Sequence, residues 1–167
     1  MFTLAMTTPQ TAVRPFLPSD ATACLELFRD TVHRVNSRDY SSAQIHAWAP
    51  LDVKVPGWME RFENRIAYVA VAGSSLAGFA DMTVEGHLDR LFVSADHQRQ
   101  GIAGRLLTHL LNDDRRTSDS GITTEASITA KPFFESIGFT VVKKQTVLCR
   151  GVELTNFKML LGRGTAD

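Results

Sequence analysis

The sequence contains few cysteines, no excess of charge of either sign and no long apolar run. Its 167 residues include two cysteines, Cys24 and Cys149, which is too few for a disulfide framework, and no CxxC pair suggests a zinc site. Equal numbers of basic and acidic residues, 18 of each, argue against a nucleic-acid binder with a broad basic surface. No apolar stretch approaches the roughly 20 residues of a membrane span. We therefore expect a reduced cytoplasmic protein that uses no metal and binds neither nucleic acid nor membrane.

The beginning of the chain, MFTLAMTTPQ, lacks the basic leader and the apolar centre of a signal peptide. We expect residues 1–10 to form a disordered tail, with either Met1 or Met6 as the initiator, and residues 11–167 to form a single domain. Hydrophobic residues make up 44% of the chain and charged residues 22%, which is typical of a globular protein with a substantial core.

The hydrophobic pattern predicts helices and strands in a mixed order. A strand precedes a helix capped by Ser19 or Asp20, and a short helix capped by Ser41 or Ser42 runs to Trp48. Three meander strands, a helix, a strand, a short helix and a closing hairpin follow, at residues 65–95, 103–111, 122–128, 129–139 and 140–162. This order predicts an α/β protein, an α+β mixed sheet with helices on both faces.

The third meander strand has an irregular apolar spacing. Leu88 and Leu91 are three residues apart, so a regular strand would place them on opposite faces of the sheet. One extra residue between them would return both side chains to the same face. We therefore predict a β-bulge in this strand.

The segment VSADHQRQGIAGRLLTHLL, residues 93–111, joins this strand to a helix through a polar loop. The first turn of a helix has unpaired N–H donors and the positive end of the helix dipole, so it favours an anion. Gly101 permits close approach of the backbone, and Arg99 and Arg105 flank the loop. These residues favour a pyrophosphate site, although a plain helix start with solvated arginines fits them equally well. Neither GxGxxG nor GxxxxGK[ST] is present, and a nucleotide-binding protein would carry its phosphate loop after the first strand.

Two motifs resemble those of the GNAT superfamily of acyl-CoA-dependent N-acyltransferases. Residues 98–103, QRQGIA, fit the signature [QR]-x-x-G-x-[GA] that follows the fourth strand of that family. Residues 132–139, PFFESIGF, match its late helix motif (F/L)YE-x-x-GF except at one position. The resemblance covers residues 11–161, and the late segment is similar to the YafP-like bacterial branch.

The resemblance implies a fold, a cofactor and a set of contacts. The GNAT fold has about seven strands with helices on both faces, and its fourth and fifth strands splay apart to admit the pantetheine of acetyl-CoA. Backbone N–H groups of the loop hold the pyrophosphate, and a strand N–H polarises the thioester carbonyl. The implied coenzyme A contacts are Leu91, Phe92, Val93, Gln98, Arg99, Gln100, Gly101, Ile102, Ala103, Gly104, Arg105, Ser127, Phe133 and Phe134.

Two positions depart from the common pattern of the family. Ser127 replaces an asparagine that contacts pantetheine in many members, and Phe134 replaces a tyrosine that protonates the leaving thiolate. Because phenylalanine cannot donate a proton, the usual general acid does not carry over. Another donor or water supplies the proton, or none is needed because a thiolate is a good leaving group.

The attacking amine must lose a proton, and a carboxylate near the thioester can accept it. Asp89, just before the predicted bulge, is the first candidate base, and Glu125 is the second. A role in ion pairing or capping would also account for a carboxylate at either position. The acceptor wall implied by the resemblance contains His33, Tyr40, Trp48 and Cys149, although core packing explains its aromatic residues equally well.

The resulting hypothesis is an acetyl-CoA-dependent N-acetyltransferase that acts on a small-molecule or peptide amine. The amine would attack the thioester directly in a ternary complex. The alternative is an acyl-CoA-binding sensor or interaction module without catalysis, which the phenylalanine at position 134 favours. Either protein would be a monomer or a homodimer.

Overall fold

The computed structural model describes residues 10–117 and 120–162. Apart from Gln10, the tail expected at residues 1–10 lies outside the described residues. The strands are β1 Thr11–Pro15, β2 Arg65–Ala72, β3 Ser75–Thr83, β4 His87–Val93, β5 Ile122–Ser127, β6 Thr140–Cys149 and β7 Val152–Leu161. The helices are α1 Ala21–Arg34, α2 Ser42–Trp48, α3 Ile102–Leu111 and α4 Lys131–Ser136.

The seven strands form one mixed sheet in the order β1-β2-β3-β4-β5-β7-β6. Every neighbouring pair is antiparallel except β4 and β5, which are parallel. A parallel pair needs a crossover connection, and α3 provides it between these two strands. The predicted mixed sheet is confirmed, with its only parallel pair among the described residues at its centre.

Helices cover both faces of the sheet and bury two apolar clusters. On one face Phe28 and Val32 of α1 pack with Phe79 of β3. On the other face the apolar stripe of α3 packs against Met82 and Leu88. The buried residues of this stripe recur at helical spacing and are Ile102, Leu106, Leu107 and Leu110.

The predicted bulge is present, and its extra residue is Asp89. The β3–β4 register passes from Asp81 opposite Arg90 directly to Met82 opposite Leu88, so Asp89 has no partner on β3. Leu88 and Leu91 consequently face the same cluster, on the α3 side of the sheet.

The helix starts agree with the sequence only in part. Ser41 caps α2 as predicted, since its hydroxyl accepts from the Gln44 N–H at 3.2 Å. Asp20 precedes α1 but does not cap it. Its carboxylate accepts instead from the Leu17 N–H and from the Arg14 guanidinium, both at 2.8 Å. Within the described ranges, no helix is long and apolar enough to cross a membrane.

Acid should weaken the fold in part through Asp113, which follows α3. The Arg115 guanidinium bonded to it, with a further hydrogen bond from the Tyr68 hydroxyl, holds the pKa of this carboxyl well below its usual value. A lowered pKa in the folded state means that the stabilisation is complete above a pH of about 4 and is lost as the pH falls further. We expect Asp113→Asn to be less stable than the wild type at pH 7 in urea unfolding. That difference should shrink between pH 4 and pH 2.5; a constant difference would contradict the assignment.

Candidate active site

The central strands separate after two residue pairs. His87 lies opposite Thr123 and Leu88 opposite Thr124, and no later pair joins β4 to β5. The bulge at Asp89 bends β4 at this point, so the rest of β4 stays on β3 while β5 continues with β7. A cavity of about 350 Å³ opens where the two strands diverge. The splayed pair expected from the resemblance is therefore present.

One side of the cavity is an aromatic wall, which consists of Phe28, Tyr40, Trp48, Trp58 and Phe92. The ring of Phe28 lies 5.1 Å from Phe92 and 5.4 Å from Trp58. Tyr40 and Trp48 continue the contact at 5.5 Å. Because the rings pack edge-on or stacked on each other, the aromatic wall has a fixed shape.

Both candidate bases line the cavity, in different environments. Asp89 Oδ2 accepts from Arg65 at 2.9 Å and lies 3.5 Å from Arg61. The pairing explanation for Asp89 therefore holds, although its partners come from the segment before β2 and from β2 itself. Glu125 is exposed, and among the described residues it forms no ion pair.

A buried ion pair packs against Trp58 of the aromatic wall. Arg90 on β4 binds Asp81 on β3 through Nε at 3.0 Å and through a shorter contact from Nη2. The guanidinium carbon lies 4.2 Å from the Phe62 ring centre and 4.7 Å from that of Trp58. Asp81 is fully buried and Arg90 is 5% exposed. The pair therefore fixes Trp58 in the aromatic wall through a cation–π contact.

The cavity also holds hydroxyl and imidazole groups. Tyr40 donates its proton to the Thr155 carbonyl at 2.7 Å and accepts from the Ile128 N–H at 2.9 Å, so its hydroxyl is fully engaged. Burial raises the pKa of Tyr40, which keeps that proton in place. His87 bonds Thr123 Oγ1 through Nδ1 at 2.8 Å. Among the described residues its Nε2 has no hydrogen-bond partner.

The two residues that depart from the family pattern also line the cavity. Phe134 is buried and packs edge-on against Phe139. Ser127 Oγ accepts from the Ala130 N–H at 3.0 Å and from Asn36 Nδ2 at 3.4 Å. With both acceptor positions used, the Ser127 hydroxyl has its hydrogen left to donate. Phe133, by contrast, packs on the α3-side core and does not line the cavity.

The loop after β4 has the backbone of an anion site. Arg99 and Gly101 both adopt left-handed φ angles, +60° and +75°. The first helical hydrogen bond of α3 runs from the Arg105 N–H to the Gly101 carbonyl at 3.1 Å. The N–H groups of residues 101–104 have no intramolecular acceptor in the described part of the chain. Four consecutive donors are therefore free at the positive end of α3.

The side chains of this loop have roles that the sequence did not indicate. Gln98 donates to the Val93 carbonyl at 2.7 Å and so connects the loop to β4. That carbonyl is therefore already hydrogen-bonded within the protein. Arg105 donates to the Thr11 carbonyl at 2.7 Å on β1. Ile102 is buried in the core, so only its backbone can reach a ligand. Arg99 and Gln100 are exposed.

His33 is not part of the cavity lining, contrary to the expected acceptor wall. Its Nε2 is 2.7 Å from the Ala49 carbonyl, and its ring stands edge-on to His46. His33 lies in the last turn of α1, where it joins that helix to the end of α2. Tyr40, Trp48 and Cys149 do line the cavity.

Arg150, Arg61 and Trp58 also line the cavity, although the sequence did not identify them as site residues. Arg150 is the least expected, because it comes from the β6–β7 turn. Its φ is +45° and that of Gly151 is +79°, so both residues of this two-residue turn are left-handed. Asparagine or glycine normally fills the first position. An arginine there is the one local signal that could have identified it.

The chain matches the family model described as "Acetyltransferase (GNAT) domain" over residues 36–161. This chain belongs to the GNAT acetyltransferase family. The match includes β2 to β7, with the splayed strands and the loop before α3. The family expected from the two motifs is thus confirmed, as is acetyltransferase activity as its class of reaction.

The relatives agree with this assignment. The chain is 39% identical over 147 residues to the uncharacterized N-acetyltransferase YafP of Escherichia coli K12, covering 88% of this chain and 93% of YafP. A GCN5-related N-acetyltransferase structure from Rhodopseudomonas palustris is 27% identical with a TM-score of 0.84, over 96% of this chain and 99% of that one. PaiA N-acetyltransferase from Thermoplasma acidophilum, solved with coenzyme A, shares the fold at 16% identity and a TM-score of 0.71, over 92% and 99% of the two chains.

Proposed function

We propose that this GNAT enzyme transfers the acetyl group of acetyl-CoA to a primary amine by direct attack in a ternary complex. The observation that carries the proposal is the splayed β4–β5 pair, which opens a cavity lined by two carboxylates beside a loop of unpaired N–H groups. The loop would hold the pyrophosphate, and the gap would hold pantetheine with its thioester at the cavity. The catalytic gain would come from positioning both reactants and polarising the carbonyl.

Departure of the thiolate would not need a tyrosine. Phe134 cannot donate, and the Tyr40 proton is already bound to the Thr155 carbonyl. The Ser127 hydroxyl has a hydrogen to donate and lines the same cavity. We propose that it stabilises the sulfur by a hydrogen bond, with water as the final proton source.

The activity is tested by mixing the protein with acetyl-CoA and a panel of primary amines while thiol release is recorded. Mass spectrometry of each acceptor should show one added acetyl group. If acetyl-CoA binds and no amine class is turned over above the background hydrolysis, the transfer proposal is wrong and the sensor alternative is favoured.

We expect Asp89→Asn to lower kcat/KM at pH 7.5 by about 100-fold or more, because a general base typically contributes that much. Asp89 is the preferred base because the bulge turns it into the cavity beside β4 and Arg65 fixes one oxygen, which leaves the other for the amine or a water. The measurement is acetyl transfer as a function of pH.

The matched control is Glu125→Gln, which also replaces a carboxylate of the cavity by an amide. It should lower kcat/KM less than Asp89→Asn does. The defect of Asp89→Asn should also shrink towards a pH of about 10, where a primary amine loses its proton to solvent. A defect that is independent of pH would show that Asp89 acts through structure alone. A larger loss in Glu125→Gln would transfer the role to Glu125.

A further inference from the structure

The side chain of Arg150 is oriented by a single nitrogen. Its Nη1 donates to the Ala47 carbonyl at 2.7 Å and lies 3.5 Å from the Trp48 carbonyl, at the end of α2. Among the described residues neither Nε nor Nη2 has an acceptor, and the residue forms no ion pair there. Arg150 is exposed and lines the cavity, so these donors are open to a ligand there.

The backbone conformation at position 150 is unfavourable for an arginine. A left-handed φ of +45° at a long side chain costs free energy that Asn or Gly would avoid. Such outliers are concentrated at ligand sites. Capping of α2 accounts for Nη1, but it does not account for the other donors.

The charged groups around the cavity have ion-pair partners, except at two residues. Three guanidiniums, of Arg61, Arg65 and Arg90, surround the two carboxylates of Asp81 and Asp89. Glu125 and Arg150 have no ion-pair partner within residues 10–117 and 120–162. A ligand with one positive and one negative group would complement both residues.

We infer that the acceptor is a zwitterion, a small amine that also carries a carboxylate, with an apolar or aromatic body. Arg150 would bind the carboxylate in a two-pronged contact, and the aromatic wall would hold the body. The amine would face Asp89 and Glu125. The cavity of about 350 Å³ must also admit the thioester, so the acceptor is of the size of a single amino acid. This inference depends on the proposed function.

The test compares acceptors with and without the carboxylate, and kcat/KM is calculated on the concentration of unprotonated amine, because the carboxylate also changes how much of the amine is protonated. L-Phenylalanine is paired with 2-phenylethylamine, and L-leucine with 3-methylbutylamine, under saturating acetyl-CoA. We expect kcat/KM to favour the carboxylated member of at least one pair by about 10- to 100-fold, which is the value of one charge-assisted contact. In Arg150→Asn this preference should fall below threefold, and Arg150→Lys should retain part of it.

The control variant is Arg38→Gln, which removes an arginine that also donates to a backbone carbonyl but does not line the cavity. It should keep the preference. Asparagine is the favoured residue at the first position of this turn, so Arg150→Asn is expected to fold, and circular dichroism checks it. Calorimetry with coenzyme A gives a second readout, in which N-acetyl-L-phenylalanine should bind more tightly than N-acetyl-2-phenylethylamine.

The outcomes separate this inference from the proposed function. Turnover of amines with equal kcat/KM for both members of each pair would overturn the zwitterion inference and leave acetyl transfer intact. A preference that survives in Arg150→Asn would also overturn it, since another group would then bind the carboxylate. No turnover of any amine, with acetyl-CoA bound, would overturn the proposed function itself.

Discussion

Gly101→Val should weaken the binding of coenzyme A by about 100-fold, because two charge-assisted hydrogen bonds of the loop would be lost. Gly101 has a φ of +75°, which a β-branched residue adopts only with strain. The loop would relax to a negative φ and turn the N–H groups of Ile102 and Ala103 away from the anion. Isothermal titration calorimetry with coenzyme A measures the loss.

The matched control for this change is Gly73→Val in the β2–β3 turn. Gly73 has a φ of +63°, and, as at Gly101, an added side chain would meet nothing within 4 Å. Both variants therefore carry similar backbone strain, of about 1–3 kcal/mol, but only one alters the loop. Unchanged affinity in Gly101→Val, or an equal loss in Gly73→Val, would show that the loop does not bind the pyrophosphate.

The second large effect is expected at the buried pair of Arg90 and Asp81. Arg90→Met should lower the free energy of unfolding by about 3–5 kcal/mol, because it leaves the buried Asp81 carboxylate with only the more distant Arg65, at 3.9 Å. Chemical denaturation at pH 7.5 measures this. The double variant Asp81→Leu/Arg90→Met should be less destabilised than Arg90→Met, since it also removes the poorly compensated buried charge.

The control is Arg14→Met, which breaks a similar two-pronged contact to Asp20. The arginine side chain there is 41% exposed, and the buried Asp20 carboxylate keeps a hydrogen bond from the Leu17 N–H at 2.8 Å, so the cost should be smaller, about 1 kcal/mol. If both substitutions cost the same, burial does not set the strength of the Arg90 pair.

The pH dependence of Arg90→Met gives an independent check. Burial raises the pKa of Asp81, and the Arg90 guanidinium opposes that rise. Without Arg90 the pKa of the folded-state carboxyl should rise further above its unfolded value, so the stability of the variant should increase more than that of the wild type as the pH falls from neutral towards the usual carboxyl range. An unchanged difference in stability between variant and wild type over this interval would contradict the assignment.

The features that the sequence predicted are local ones. Gly101 and its neighbours form a short motif in which the residues act through their backbone. A few consecutive residues are therefore enough to predict this loop. The bulge at Asp89 could be predicted because a regular strand would place Leu88 and Leu91 on opposite faces of the sheet. The Ser41 cap could be predicted because its hydrogen-bond partner is only three residues away in the chain.

The features that the sequence could not predict depend on residues brought together by the sheet. The sequence offered ion pairing as one explanation of Asp89, but its partners, Arg65 and Arg61, lie 24 and 28 residues away along the chain and are brought to it by the sheet. His33 was expected in the acceptor wall, but α1 directs it towards the end of α2.

The sequence alone therefore determined the family, the loop that favours an anion and the irregular strand, because these are set by nearest neighbours along the chain. The tertiary structure alone decided which side chains share the cavity. Arg150 comes from the hairpin beyond β5, and Trp58 comes from the irregular segment before β2. Only the closure of the sheet, with helices packed on both faces, places residues separated by more than 60 positions at one site.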